Sequence, residues 1–154
     1  MRRVRGESIL DVGCGTGLAL SVMRDFFPHK TCRGIEPSSD GRPYWNERGI
    51  NVDVGTAANL PYQKNEFDTV YSSHVIEHVE QDNKAIQEIC RVAGKRSIIV
   101  VPDGYVDVDS HVNVYDRVSF CEIIHSNIQD RHETKIFPIP HSHIDNLVAV
   151  IDTQ

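Results

Sequence analysis

Three glycines at alternate positions, Gly13, Gly15 and Gly17, follow an apolar segment near the start of the 154-residue chain. Because glycine has no side chain and tolerates positive φ, such a turn lets a ligand approach the backbone closely. The helix predicted just after the turn adds unpaired N–H groups at its start. These features indicate a site for a nucleoside-containing ligand directly after the first strand.

A carboxylate lies where a ribose partner is expected. Glu36 stands at the end of the second predicted strand, nineteen residues after Gly17. A carboxylate at this place can accept hydrogen bonds from both ribose hydroxyls. The turn and Glu36 therefore favour an adenosine-type ligand, but these residues alone do not choose between NAD and S-adenosylmethionine.

Two histidines follow strands that should end at the same site. His74 comes directly after the fourth predicted strand, and His111 lies in the polar loop after the fifth. Either could position a substrate or act as a base. The competing interpretations are a strand-capping or loop-packing role for His74 and a solvated loop position for His111. His141 and His143, in a predicted hairpin turn, could reach the mouth of the site. Tyr62 and Tyr105 could form an aromatic wall against a cationic ligand, and packing at the surface is the competing interpretation.

The stretch His74-x-x-Glu77-His78 also matches an inverted zinc-protease motif. That motif needs both histidines on one helical face and a further ligand downstream. Here His74 follows a strand, so the pair straddles a break between strand and loop. We therefore expect no metal site in this motif.

The elements that must position these residues follow from hydrophobic periodicity and from turn residues. The predicted strands are 7–12, 31–36, 50–54, 67–73, 97–101, 132–139 and 144–151. The predicted helices are 16–27, a helix capped by Ser38 or Ser39 that ends at Gly49, 80–93 with Gly94 as its C-cap, and one capped by Asp116 or Ser119. Strand–helix alternation ending in a hairpin predicts an α/β fold with a doubly wound, mainly parallel sheet and helices on both faces. Ligands of such sheets bind at the carboxyl ends of the strands, where the glycine turn, Glu36 and His74 are expected.

Composition narrows the class of protein. The length predicts a single domain over residues 1–154. A formal net charge of −6 argues against nucleic acid as a partner. We see no apolar run long enough to span a membrane. The four cysteines form no C-x-x-C pair, so we expect reduced thiols and a cytoplasmic location.

Several motifs taken together resemble one family. Residues 10–17 resemble the first motif of class I S-adenosylmethionine-dependent methyltransferases, and residues 34–38 resemble the second. Residues 60–62, 67–70 and 74–79 resemble the stretch through the family's fourth strand. The resemblance covers about residues 7–125 and is most marked for the small-molecule branch called type 11. It implies S-adenosylmethionine as cofactor, a Rossmann-like sheet of seven strands in the order 3-2-1-4-5-7-6, and an antiparallel strand 7.

The resemblance also implies roles for individual residues. Gly13, Gly15 and Gly17 would face the methionine part of the cofactor. Asp11 would hold the turn and help to bind the methionyl ammonium group. Glu36 would bind the ribose.

Further roles concern the adenine. Ile35 and Pro37 would flank the ring. Thr56 occupies a position where the family often has an acidic residue, so adenine recognition would rest on backbone groups of Ala57. Ser73, at the end of the fourth strand, completes the expected cofactor-binding set.

The resulting hypothesis is methyl transfer, by in-line displacement, to an oxygen or nitrogen atom of a small molecule. The first alternative is a non-catalytic module that keeps the fold and acts as a partner subunit. A nicotinamide oxidoreductase is a further alternative, disfavoured because Leu18 replaces the third glycine of the dinucleotide fingerprint. Family members usually carry N-terminal cap helices before the first strand, and the residues before position 7 predict none. We therefore expect an open site that a partner chain or a second copy covers, or a partial sequence.

Overall fold

The computed structural model describes residues 4–104, 110–128, 132–140 and 145–153. Its strands are β1 Ser8–Val12, β2 Thr31–Glu36, β3 Asn51–Val54, β4 Phe67–Ser73, β5 Ala93–Pro102, β6 His132–Ile139 and β7 Asn146–Thr153. Its helices are α1 Leu18–Phe26, α2 Arg42–Arg48, α3 Asp82–Val92 and α4 Arg117–Asn127, with 3-10 turns at Ser39–Gly41 and Ile76–His78.

One seven-stranded sheet contains all of these strands, in the order β3-β2-β1-β4-β5-β7-β6. The first five strands pair in parallel, and β7 runs antiparallel to both β5 and β6. This confirms the expected topology. The chain steps outward from β1 to β3 and then returns to β4 on the other side of β1, so the order of strands reverses between β1 and β4. Right-handed crossovers in opposite directions place α1 and α3 on opposite faces of the sheet.

The core surrounds the central strands. Leu10 and Val70 are fully buried, as are Ile86 and Ile89 on the inner face of α3. Each such side chain contributes about 1.5–3 kcal/mol when it is removed from water. The central strands are thereby fixed, and their carboxyl ends form a rigid base for the loops above them.

The junction between α3 and β5 corrects one prediction. Gly94 was expected to cap α3, but the helix ends at Val92, and Ala93 is already extended at the start of β5. A Cβ atom on Gly94 would lie 3.2 Å from the Asn65 carbonyl oxygen. The glycine is therefore needed for close backbone approach within the sheet rather than for a left-handed cap.

The start of α4 resolves an alternative that the sequence left open. Asp116 is the N-cap, and its carboxylate accepts a hydrogen bond from the Ser119 N–H at 2.8 Å. The Ser119 hydroxyl in turn accepts a hydrogen bond from the Asp116 N–H at 2.9 Å, which completes a capping box. Among the described residues, no helix combines the length and the apolar character that crossing a membrane requires.

Candidate functional site

A cavity of about 670 Å³ lies at the carboxyl ends of β1 to β4, and we call it the strand-end cavity. Its wall consists of Gly13, Glu36, Pro37, Gly55, Thr56, Ala57, Ala58, His74, Val75, His78, Val79, Glu80, Gln81 and Ser110. The volume is typical of small-molecule and cofactor sites. A second hollow, of about 750 Å³, lies beside β2, β3 and α2, and none of the predicted site residues lines it.

The glycine turn packs tightly at one point and is open at another. Gly13 has a φ of 73°, and a Cβ atom there would lie 2.3 Å from Val75 Cγ2. Gly15 has a φ of 54°, and a Cβ atom there would meet no atom within 4 Å. Gly17 precedes α1 as its N-cap and packs against Ile50. Of the three glycines, only Gly13 is in the described wall of the cavity.

Glu36 presents a fixed carboxylate to the cavity. One carboxylate oxygen accepts a hydrogen bond from the Gly15 N–H at 2.9 Å, and the other is 3.4 Å from the Ser38 nitrogen. On the far side of the turn, the buried Trp45 side chain donates a hydrogen bond to the Gly15 carbonyl at 2.8 Å. The turn and the carboxylate are thus held together, and each oxygen of Glu36 keeps a lone pair for a ligand.

Asp11 is a buried carboxyl group behind the turn. It is 3% exposed, and its Oδ2 atom has no hydrogen-bond partner among the described residues. Burial and, to a smaller extent, the nearby charge of Glu36 together raise the pKa of Asp11 to about 7. A cationic ligand would favour the ionised form of this carboxyl group.

The loop after β3 forms the side of the cavity expected to hold adenine. The Gly55 N–H donates a hydrogen bond to the Glu36 carbonyl at 3.1 Å, so the start of this loop lies against the end of β2. Pro37, Thr56 and Ala57, for which the resemblance implies a place near the adenine, all line the cavity. Their small or apolar side chains leave room for a flat ring.

His74 lies at the end of β4 with an unusual backbone conformation. Its φ is 55°, and its N–H donates a hydrogen bond to the Val100 carbonyl at 2.9 Å. The side chain is 48% exposed, and its Nδ1 atom is 3.3 Å from Glu77 Oε1. Left-handed backbone at a histidine is uncommon and often accompanies function.

His111 is near the cavity without being part of its described wall. Its ring meets the ring of His78 edge to face, with centroids 4.6 Å apart. His78 and Ser110 do line the cavity. Asp11 and Ser73 also lie outside the described wall, whereas His141, His143 and Tyr105 lie outside the described residues.

A family model described as a methyltransferase domain matches residues 10–101. The chain belongs to the methyltransferase domain family. It has the class I architecture, and its cofactor is S-adenosylmethionine. The resemblance seen in the motifs is therefore confirmed.

Two relatives show the range of acceptors within this family. The domain is 34% identical over 104 residues to ajmaline N-methyltransferase from Rauvolfia serpentina, covering 62% of this chain and 35% of that protein. It is also 34% identical over 104 residues to a tRNA (carboxymethyluridine(34)-5-O)-methyltransferase from Arabidopsis thaliana, covering 66% of this chain and 23% of that protein. The chain thus spans about a third or less of the length of these relatives.

Solved structures share the fold of the methyltransferase domain. The complex between the Haloferax volcanii Trm112 methyltransferase activator and a methyltransferase gives a TM-score of 0.81 at 16% identity, over 99% of this chain and 85% of that one. Magnesium protoporphyrin IX methyltransferase from Synechocystis PCC 6803, solved with bound SAH, gives 0.77 at 12% identity, over 99% and 77% of the two chains.

The strand-end cavity of this methyltransferase domain fits S-adenosylmethionine on three observations. Glu36 offers a charged acceptor in the wall. The open space at Gly15 leaves the turn accessible from outside. The buried Asp11 carboxyl group, with one oxygen that lacks a hydrogen-bond partner among the described residues, would ionise beside a cationic molecule.

Sequence reasoning did not single out several wall residues. Glu80 and Gln81 were assigned to the third helix, but that helix begins at Asp82, so both belong to the loop at the cavity. Val75 was treated only as part of a motif, although it fills the space beside Gly13. The sequence did carry a signal for Val75. It follows β4, and in a parallel sheet the residues after β4 lie beside the turn that follows the neighbouring strand β1.

Proposed function

We infer that the domain transfers a methyl group to an oxygen or nitrogen atom of a small molecule. The observation that carries this proposal is the Glu36 carboxylate, fixed by the glycine turn in the wall of a cavity of cofactor size. When bound, S-adenosylmethionine supplies an electrophilic methyl group on a sulfonium centre. The protein then has to bind the cofactor, orient the acceptor and exclude water.

The cofactor-binding roles are divided between the two sides of the cavity. Glu36 accepts hydrogen bonds from ribose hydroxyls, and Pro37, Thr56 and Ala57 contact the adenine. Gly13 and Gly15 give backbone access to the methionine part, while the negative charge of Asp11 favours its cationic groups. Ser73 and Gly17 support the cofactor indirectly, by ending β4 and by starting α1.

His74 is the proposed base or positioning residue for the acceptor. Its Nδ1 atom is 3.3 Å from Glu77 Oε1, and a carboxylate there favours the neutral tautomer with the proton on Nδ1. When the ring is neutral, Nε2 is then free to accept a proton from an acceptor hydroxyl group. His111, the residue directly after the wall residue Ser110, is the second proposed catalytic residue.

A second chain over the cavity is also part of the proposal. The Haloferax volcanii structure is a complex of a methyltransferase with an activator, so a fold of this kind can bind another chain. We propose a small-molecule acceptor, and we propose that a partner or a second copy covers the mouth of the cavity.

Isothermal titration calorimetry with S-adenosylmethionine and S-adenosylhomocysteine tests the proposal. We expect both to bind with one site per chain. Absence of binding at millimolar ligand would overturn the enzymatic function and favour a non-catalytic module. Binding of NADH instead of S-adenosylhomocysteine would favour an oxidoreductase.

A further inference from the structure

Glu77 is a buried carboxylate that has no hydrogen-bond donor among the described residues. It lies in the 3-10 turn after β4 and is 1% exposed. Neither carboxylate oxygen accepts a hydrogen bond from any described residue, although His74 Nδ1 approaches one of them at 3.3 Å. Buried carboxylates without such partners are costly and therefore rare unless they bind a cation.

Two further metal-binding side chains converge on this carboxylate. One carboxylate oxygen of Glu77, one ring nitrogen of His78 and one of His111 all lie within 4.8 Å of one another. His78 Nδ1 is 3.0 Å from the Ser110 carbonyl oxygen, which can only accept a hydrogen bond. The proton of His78 therefore resides on Nδ1, and Nε2 keeps its lone pair for a metal ion. Metal-bound histidines commonly make this kind of second hydrogen bond.

The loop that carries His111 is fastened to the turn that carries Glu77. The N–H groups of Val112 and Asn113 both donate to the Glu77 carbonyl, at 2.9 and 3.0 Å. The Asn113 side chain also donates to the carbonyls of Ile76 and Val79, at 3.2 and 2.8 Å. Four hydrogen bonds thus hold the loop directly against the turn, and the approach of His111 to Glu77 and His78 is part of the fold.

We propose that Glu77, His78 and His111 bind one divalent first-row metal ion beside the strand-end cavity. Two imidazoles and one carboxylate suit zinc, manganese, iron or cobalt better than calcium. Ligand atoms around such an ion lie about 3–3.5 Å apart. Because His78 is exposed and His111 is half-buried, small rotations of their rings close the remaining distance.

This trio differs from the motif that the sequence analysis set aside. The expectation of no metal concerned the stretch His74-x-x-Glu77-His78, whose two histidines straddle the break after β4. The trio takes Glu77 and His78 from that stretch but not His74. His111, thirty-three positions beyond His78, takes the place of the downstream ligand. His74, whose Nδ1 atom is 3.3 Å from Glu77 Oε1, is then a positioning residue for Glu77.

The location gives the ion a use in the proposed reaction. His78 lines the strand-end cavity, so an ion bound to it would face the acceptor with open coordination positions. A divalent ion lowers the pKa of a hydroxyl group bound to it, which would favour an oxygen acceptor. This use rests on the proposed function, whereas the metal site itself does not.

Titration of the untagged full chain with Co²⁺ tests the site directly. After treatment with a chelator and dialysis, the protein should bind one equivalent of Co²⁺ and develop visible absorption bands. Zn²⁺ should displace the Co²⁺ and abolish the bands. His111→Ala and His78→Ala should each weaken binding by roughly tenfold or more. The two variants serve as independent tests, and a circular dichroism spectrum like that of the wild type establishes that each is folded.

A matched variant, His29→Ala, removes an exposed histidine in the turn after α1 and should bind Co²⁺ like the wild type. Absence of stoichiometric binding at millimolar metal would overturn the proposal. So would folded His78→Ala and His111→Ala variants that bind as tightly as the wild type, or an equal loss in His29→Ala. S-adenosylhomocysteine titrated into the metal-free protein tests the proposed function separately.

Discussion

Glu36 has two contacts with different consequences. Toward the protein, its carboxylate accepts the Gly15 N–H and so ties the end of β2 to the glycine turn. Toward the cavity, the same group offers lone pairs to a ligand. Removing the side chain therefore loses a ligand contact and also loosens the turn that surrounds the ligand.

Glu36→Gln separates these two roles because it keeps the shape and an acceptor oxygen but removes the charge. We expect it to weaken binding of S-adenosylmethionine by roughly tenfold, and Glu36→Ala to weaken it by more than that. A hydrogen bond to a charged acceptor contributes about 1.5–3 kcal/mol. Calorimetric dissociation constants measure both effects.

Glu47→Ala is the matched control for Glu36, since it removes an exposed carboxylate from α2. It should leave the dissociation constant unchanged. If Glu36→Ala bound the cofactor as tightly as the control does, the ribose would not lie at Glu36.

Asp11 should make the stability of the ligand-free domain depend on pH. Its pKa is raised from 3.8 to about 7, mainly by burial, so the folded state holds a proton that the unfolded state has lost. Stability from this group is full below about pH 4 and falls as the pH rises to about 7, by up to about 4 kcal/mol. Asp11→Asn removes this dependence. Urea unfolding should show that the variant gains stability relative to the wild type between pH 4.5 and 7.5.

Asp25→Asn, at an exposed carboxylate of α1, provides the comparison for Asp11. The difference in stability between this variant and the wild type should stay nearly constant across the same pH range. An Asp11→Asn curve parallel to that of the wild type would mean that Asp11 is ionised in the folded state throughout.

At the scale of elements, the turn after β1 is shaped by the residue that follows β4. Gly13 and Gly15 both have positive φ, but only Gly13 has another side chain within 4 Å of the position that a Cβ would occupy. A substitution at Gly15 therefore tests backbone strain alone, whereas a substitution at Gly13 tests backbone strain together with steric crowding.

Gly15→Ala should destabilise the domain by about 1–2 kcal/mol, the cost of left-handed backbone for an L-residue. Gly13→Ala should cost at least about 1 kcal/mol more, because its Cβ would overlap Val75 Cγ2. Chemical denaturation measures both values. Adding Val75→Ala to Gly13→Ala should recover part of the loss, and equal losses in the two single variants would contradict the packing described here.

The strands were predictable because their signals are local. β2 and β4 have the predicted bounds. Each follows a polar residue, and each ends next to a residue that the sequence marks as a break, Pro37 or His74. The predicted role of Gly94 as the C-cap of α3 was wrong because a glycine after an amphipathic helix usually marks a left-handed cap. Here the close approach of the Asn65 carbonyl explains the glycine, and that contact is visible only in the folded sheet.

The candidate site was predictable where it follows strand ends and unpredictable where it depends on loop contacts. Glu36 and His74 come directly after strands, so topology places them. The approach of His111 to Glu77 depends on backbone hydrogen bonds from Val112 and Asn113 to the Glu77 carbonyl. Every residue except proline has a backbone N–H group whatever its side chain, so no sequence pattern predicts such a contact.

At the scale of the whole molecule, ligand binding is coupled to folding. A ligand that binds only the folded state stabilises it by about 2.7 kcal/mol at a hundred times its dissociation constant. For a domain of this length, that corresponds to a rise of roughly 5–10 °C in the melting temperature. We expect S-adenosylhomocysteine to produce this shift in differential scanning fluorimetry.

NADH is the informative comparison for the thermal shift, because it also carries an adenosine. It should leave the melting temperature nearly unchanged at the same concentration. A shift with NADH and none with S-adenosylhomocysteine would reverse the assignment of the cofactor.

The contact between Trp45 and the Gly15 carbonyl has an optical consequence. Trp45 is the single tryptophan of the chain, and its buried indole is hydrogen-bonded to the middle of the glycine turn. Indole emission is sensitive to hydrogen bonding and to local polarity. All tryptophan fluorescence of the chain therefore comes from an indole that contacts this turn. A change in the turn can be followed in real time without attaching a dye.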